Sequence, residues 1–228
     1  MSRWPTDAAA LVDRQRVLAG QTPSCWHPAG WPLLVGACFV CFPRGRPGPG
    51  TAADLACAAA VLVRGRRRLA AKVATGTAGS RYEPGLLALR EGPLLAAAVA
   101  GLPERPEVLL VNATGRDHPR RAGLALHLGA ELDLPTIGVT HRLLLATGGW
   151  PADEAGATSP FAIDGEQVGC WLRTRAGTRP VAVHAGWRVD PDTAAQVVWR
   201  SSRGHRTPEP LREARRLART TRATLRRD

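Results

Sequence analysis

The chain has 228 residues, 44% of them hydrophobic, which is enough to bury one core and excludes a disordered polymer. Its formal net charge is +12, almost all arginine because Lys72 is the only lysine, and half of it lies between Arg203 and Asp228, where nine arginines face Glu209, Glu213 and Asp228. This balance suits a polyanionic partner such as nucleic acid, and equally a solvated arginine-rich helix. The five cysteines are odd in number and scattered, and no apolar run is long enough to span a bilayer. The expectation is a reduced cytoplasmic protein with no membrane partner.

Asp7 to Leu18 has apolar residues at helical spacing, and Gly20 to Pro32 reads as an irregular arm rich in Trp, Pro and Gly. Leu33 to Phe42 is a continuous apolar run, the pattern of a buried strand. Pro43–Gly50 is a turn, and two more strands follow at Leu55–Val63 and Arg68–Ala74, which suggests an antiparallel meander. The rhythm then alternates: a helix over Leu86–Gly101, a strand over Glu107–Asn112, a helix over Pro119–Leu132 and a strand over Thr136–Val139, as in a parallel extension of the same sheet. Leu144–Thr158 reads as loop, Gln167–Thr174 and Pro180–Ala185 as strands, and Asp190–Arg200 as a helix. A last helix opens at Pro208 and runs to about Arg226.

Four blocks occur in order along the chain: Arg81-Tyr82-Glu83-Pro84-Gly85-Leu86-Leu87-Ala88-Leu89-Arg90-Glu91, His118-Pro119-Arg120-Arg121, Pro135-Thr136-Ile137-Gly138-Val139 and Arg206-Thr207-Pro208-Glu209-Pro210-Leu211-Arg212. Over roughly residues 33–215 the chain resembles the endonuclease V family, metal-dependent nucleases that cut beside deaminated bases. The resemblance implies an α/β, ribonuclease-H-like mixed sheet in which three antiparallel strands are followed by βαβ elements, flanked by helices in a single domain. It frames an N-terminal helix and arm over 1–32, the family domain over 33–215 and an arginine-rich helix end over 216–228.

The same resemblance shows replacements, as expected of a divergent member. The family's first-strand aspartate falls on Cys38, its glutamate survives as Glu91, its third acid falls on Asn112, its lysine on His141 and its histidine on Trp187. A hard cation such as Mg²⁺ takes carboxylates and water, and a neutral amide and a soft thiol do not replace two acids. The expectation is therefore no metal, no cofactor and no divalent-metal endonuclease activity; the alternative, Asp117, Asp54 or Glu83 moving in as a ligand, is disfavoured because a ligand must come from the right strand end.

Two readings follow, with a residual nuclease as the remaining one. In one, the old pocket is a repurposed group-transfer or ring-forming enzyme, of the kind specialised metabolism employs, acting on a small-molecule or carrier-bound substrate. Cys38 would be the nucleophile, His141 the base, and Glu91 or Asn112 the group that orients the ring. A buried cysteine in the core is the plain alternative for Cys38. In the other reading the chain is a non-catalytic pseudo-nuclease that holds nucleic acid on its basic surface or serves a protein partner.

The binding parts implied by the family are Tyr82 as a wedge into the duplex, with Pro84, Gly85, Leu87 and Ala113 around an extruded base. His118, Arg120 and Arg121 fall on the phosphate side, and Trp187 fills the vacated polar position. Pro84-Gly85 also makes a helix entry, and Arg120 and Arg121 also suit a solvated helix start.

Overall fold

The computed structural model describes residues 4–43 and 48–225. The turn expected over Pro43–Gly50 and the helix end at Arg226 lie in part outside the described residues. Helix α1 (Ala8–Ala19) begins where the Asp7 carboxylate accepts a hydrogen bond from the Ala10 amide at 2.9 Å. Strands β1 (Leu34–Cys41), β2 (Leu55–Arg64) and β3 (Arg67–Thr77) form the antiparallel meander. Nearly every residue of β1 and β2 is buried, because helices cover both faces there, and this is why they read as unbroken apolar runs.

Helix α2 (Leu87–Ala100) leads to β4 (Val108–Val111), and α3 (Leu124–Leu132) leads to β5 (Thr136–Thr140). β4 lies parallel to both β1 and β5. The chain then adds β6 (Thr158–Ile163), β7 (Glu166–Leu172), β8 (Val181–Ala185), α4 (Pro191–Ser202) and α5 (Glu209–Thr224). One eight-stranded sheet results, in the order β3-β2-β1-β4-β5-β8-β7-β6. The expected class, a mixed α/β sheet flanked by helices, is the one observed.

Alternation along the strands divides the core. Cys38, Leu109 and Val111 pack with Leu89, Leu95 and Leu128 on the α2–α3 face, while Ala37, Leu110 and Val139 pack with Val197 and Leu211 on the α4–α5 face. Cys38 and Cys41 accordingly join different clusters on an unbroken β1, so their CxxC spacing makes neither a metal knuckle nor a redox pair. The outer strands differ from the centre. β3 is mostly exposed and carries Arg67, Arg68 and Lys72, and β6 holds Pro160 and a register shift between Phe161 and Ala162.

Two elements depart from the expectation. Helix α3 starts at Leu124 rather than Pro119, because Arg121 takes a left-handed φ of 53° and Gly123 is the extended N-cap. β6 lies partly in the stretch read as loop. Asp164 and Gly165, both at positive φ (52° and 81°), form the two-residue connection that folds β6 back onto β7.

Candidate active site and nucleic-acid interface

Because β1, β4 and β5 run parallel, their C-terminal ends open on one rim, where ligands bind in open α/β sheets. Cys38 pairs in register with Val111, and Asn112 follows immediately, exposed beyond the end of β4. Helix α2 supplies Glu91, which is close enough to act electrostatically on Cys38. Pro93 lies inside α2 and offers no amide to the Leu89 carbonyl. Gly79 presses there instead: its amide donates to the Arg90 carbonyl at 3.0 Å, and a Cβ on it would stand 2.0 Å from the Leu89 oxygen.

Arg90 is committed to this loop packing. Its guanidinium pairs with Asp54 at 2.8 Å, donates to the carbonyls of Thr51 and Ser80, and lies 4.1 Å over the Phe42 ring. Glu91 is mostly covered, with a minor part of its surface open, and has no hydrogen-bond or ion-pair partner among the described residues. Burial pushes its carboxyl up to about 7, against the opposing charge of Arg90.

The thiol-nucleophile arrangement expected from the sequence is not formed. Cys38 is 0% exposed in the core, and burial, then the Glu91 charge, push its thiol far above the ordinary range. His141 is the residue after β5, exposed, with Nε2 3.3 Å from the Thr207 hydroxyl. Burial and the charges of Arg206 and Arg215 lower its pKa. Cys38, Glu91 and Asn112 therefore share the β1–β4 end, while His141 keeps company with the arginines at α5. No hydrogen bond joins His141 to the other three among the described residues.

The binding residues divide in the same way. Tyr82 is 49% exposed, its amide tied to the Pro49 carbonyl at 2.8 Å, and Pro84 is exposed beside it. Gly85 takes φ +79°, which favours glycine, and its carbonyl accepts from Arg120 at 2.7 Å and Gln15 at 3.1 Å, with His118 Nε2 at 3.1 Å. Leu87 packs half-buried against the core. His118 is buried, and burial followed by the Arg120 charge lowers its pKa to about 4, so it is neutral at neutral pH.

Arg121 donates to the Ile163 carbonyl at 3.1 Å and pairs with Asp164 at 3.0 Å, which fastens the β6–β7 hairpin. Ala113 is buried, and its carbonyl lies so close to Gly138 that a Cβ there would stand 2.2 Å away. Trp187 sits at the start of β5, its amide on the Thr136 hydroxyl at 2.9 Å and its Cβ against Gly129, at the opposite end of that strand from His141.

Sequence reading gave no structural role to Asp117. It is fully buried and accepts the amides of Leu144, Leu145 and Ala146 at 2.7, 2.8 and 2.8 Å, so it fixes the segment after β5. His184 stands 3.9 Å from Asp117 and bonds the Thr140 hydroxyl at 2.8 Å. The acceptor and its amides are 27 to 29 residues apart, and no local motif marks such a contact.

Among the described residues no three His, Cys, Asp or Glu side chains stand together as a metal site. A buried neutral thiol, an amide and one carboxyl poised near neutrality do not fit a magnesium ion, which takes several anionic or water oxygens.

A family model for Endonuclease V matches residues 43–216. The Endonuclease V of Gloeobacter violaceus is 34% identical over 215 residues, covering 94% of this chain and 86% of that protein. The crystal structure of the Endonuclease V from Streptomyces avermitilis superposes with a TM-score of 0.85 at 31% identity, covering 99% of this chain and 97% of that one. Ciona intestinalis Endonuclease V, in complex with a 24mer DNA containing an inosine, shares the fold at a TM-score of 0.76 and 22% identity, over 95% of this chain and 98% of that one.

These findings correct the reading of lost nuclease work, whether as a repurposed group-transfer enzyme or as a pseudo-nuclease. A relative matching nearly the whole chain is named for the nuclease, and the buried Cys38, with no hydrogen bond to His141 among the described residues, supports no thiol chemistry. Matched by the family model over most of its length, the chain belongs to the endonuclease V family.

Proposed function

We propose that this protein is an endonuclease acting on nucleic acid, with Glu91 as general base at the rim of the parallel strands. The carrying observation is Glu91 itself: partly exposed, without a partner among the described residues, and with a carboxyl pKa of about 7. A base poised near the working pH combines the right protonation state with the drive to take a proton. In the proposed step a water oxygen bonds to phosphorus, its proton passes to a Glu91 carboxylate oxygen, and the P–O bond to the leaving strand breaks, the departing oxygen taking a proton from solvent water. The exposed Asn112 amide donates to a non-bridging phosphate oxygen. Exposed Tyr82, on the loop that enters α2, supplies an aromatic face to the strand beside the cut. The substrate class is a strand carrying a deaminated base, as family membership suggests.

The test is cleavage of labelled oligonucleotides containing one deoxyinosine, single-stranded and duplex, with Mg²⁺ and with EDTA. Wild type nicks the strand, Glu91→Gln loses roughly a hundredfold or more in rate, and the wild-type rate climbs as pH rises through about 7 to a plateau. Folded, pure wild type that cuts none of these substrates overturns the proposal.

A further inference from the structure

Beside the rim, the segment after β5 folds over the β6–β7 hairpin and borders an open-sided pocket of about 520 Å³. Its lining includes His141, Arg142, Trp150, Trp171, Arg179 and Arg206, and no acidic side chain. Trp150 is 56% exposed, whereas Trp171 beneath it is buried, the two rings meeting edge to face at 6.3 Å and 71°. The turn that carries Trp150 is pinned: Trp171 Nε1 donates to the Gly148 carbonyl at 3.0 Å, and the Ser159 hydroxyl donates to the Gly149 carbonyl.

Of the cations, Arg206 is fixed by the backbone and the other two are free to reach a ligand. Arg206 donates to the carbonyls of Arg179 and Pro180 at 2.8 and 3.1 Å. The side chains of Arg142 and Arg179 are exposed and form no ion pair among the described residues. The site thus sets an exposed indole, on a pinned turn, among arginines that no acidic side chain in the lining neutralises. Together they match one chemistry, a planar base between phosphates.

We infer that this pocket is a platform for unpaired nucleic acid, on which one base stacks against Trp150 while its flanking phosphates lie on Arg142 and Arg179. The inference rests on the nucleic-acid reading above and deepens it. His141, in the lining, directly follows β5, and Asn112 directly follows the neighbouring β4, so a strand crossing the rim at Asn112 continues onto the platform. A single strand is the fitting ligand, because a paired base has no free face for the indole.

The test is equilibrium binding of a fluorescein-labelled single strand of about twelve nucleotides, without inosine and in EDTA, across a range of salt. Trp150→Ala weakens binding between about fivefold and a hundredfold, Trp150→Phe retains most of the affinity, and neither changes binding of the fully paired duplex. Arg142→Gln and Arg179→Gln each flatten the salt dependence of the single strand by about 0.7 in log–log slope, whereas Trp150→Ala leaves that slope alone. Trp150→Ala binding as tightly as wild type, or losing duplex and single strand alike, overturns the inference while leaving the nuclease reading standing. Wild type that binds neither form overturns both.

Discussion

The Arg120 guanidinium donates to the Gly85 carbonyl at 2.7 Å and ties together two loops that lie 35 residues apart in the chain. A second donor of the same group reaches Gln15 Oε1 at 2.6 Å, so α1 is bound into the same knot. The arginine that sequence similarity places on the phosphate side is thus already occupied in positioning the Tyr82–Gly85 loop.

Removing it should cost stability before it costs charge. Arg120→Ala loses two charge-assisted hydrogen bonds and is expected to lower unfolding free energy by about 2–3 kcal/mol in urea titration. Arg120→Lys is expected to recover only part of this, because an ammonium does not reproduce the planar fork that serves Gly85 and Gln15 together.

Asp117 offers a sharper case. Asp117→Ala strands three amides on Leu144, Leu145 and Ala146 that the carboxylate now satisfies. The expected loss is about 3 kcal/mol or more. Amide hydrogen exchange at 144–146 should accelerate well beyond the change seen in α2, and equal acceleration everywhere would argue against a local clamp.

Three buried histidines give the fold a sensitivity to mild acid. Burial is the first cause that lowers His118, His127 and His184 to about 4, followed by the Arg120 charge at His118 and the Arg14 charge at His127, while Asp117 opposes it at His184. In the unfolded chain they bind protons below about 6.5. Between about pH 6.5 and 4 the unfolded state therefore holds more protons, and stability falls as pH falls.

Glu91 acts with the opposite sign, since its raised pKa of about 7 makes the folded state the one that binds a proton between about 4.5 and 7. The three histidines outweigh it, and His141, also lowered, adds to their side, so the net effect is a loss of stability as pH falls from about 6.5 towards 5. Urea midpoints measured between about pH 5 and 7 should shift accordingly. A flat profile would show that the histidines are charged within the fold.

Thiol labelling separates core from surface. Cys25 is exposed, while Cys38, Cys41, Cys57 and Cys170 are buried, and burial pushes the Cys170 thiol up to about 12. Brief iodoacetamide treatment of the native protein should add one group by mass spectrometry, mapped to Cys25, and denatured protein should take five. Fast native labelling of Cys38 would show that the β1–β4 end opens to solvent.

Much of the fold was legible because its signals are local. The apolar runs of β1 and β4 and the helical spacing of α2 declare themselves within a dozen residues. The Asp164-Gly165 turn signal was present too, but the polar, proline-bearing β6 before it offered little apolar alternation to go with it.

The site was less legible, because its geometry depends on which face of the sheet a side chain meets. Cys38 and His141 each align with a family position, yet one points into the α2–α3 core and the other joins Thr207 and the arginines at α5. Asp117 was opaque for the related reason that its three partners come from a distant loop. The tether of Arg121 to the β6–β7 hairpin was hidden in the same way.

The outer strands set the terms on which this sheet meets other molecules. At one margin, Arg67, Arg68 and Lys72 line an exposed strand, so another copy drawing alongside would meet cations of its own sign. At the other, Pro160 withholds a backbone donor and the offset beside Phe161 bends the ladder. Both margins therefore discourage β-pairing between molecules crowded together, so self-assembly along the sides of the sheet finds little to extend.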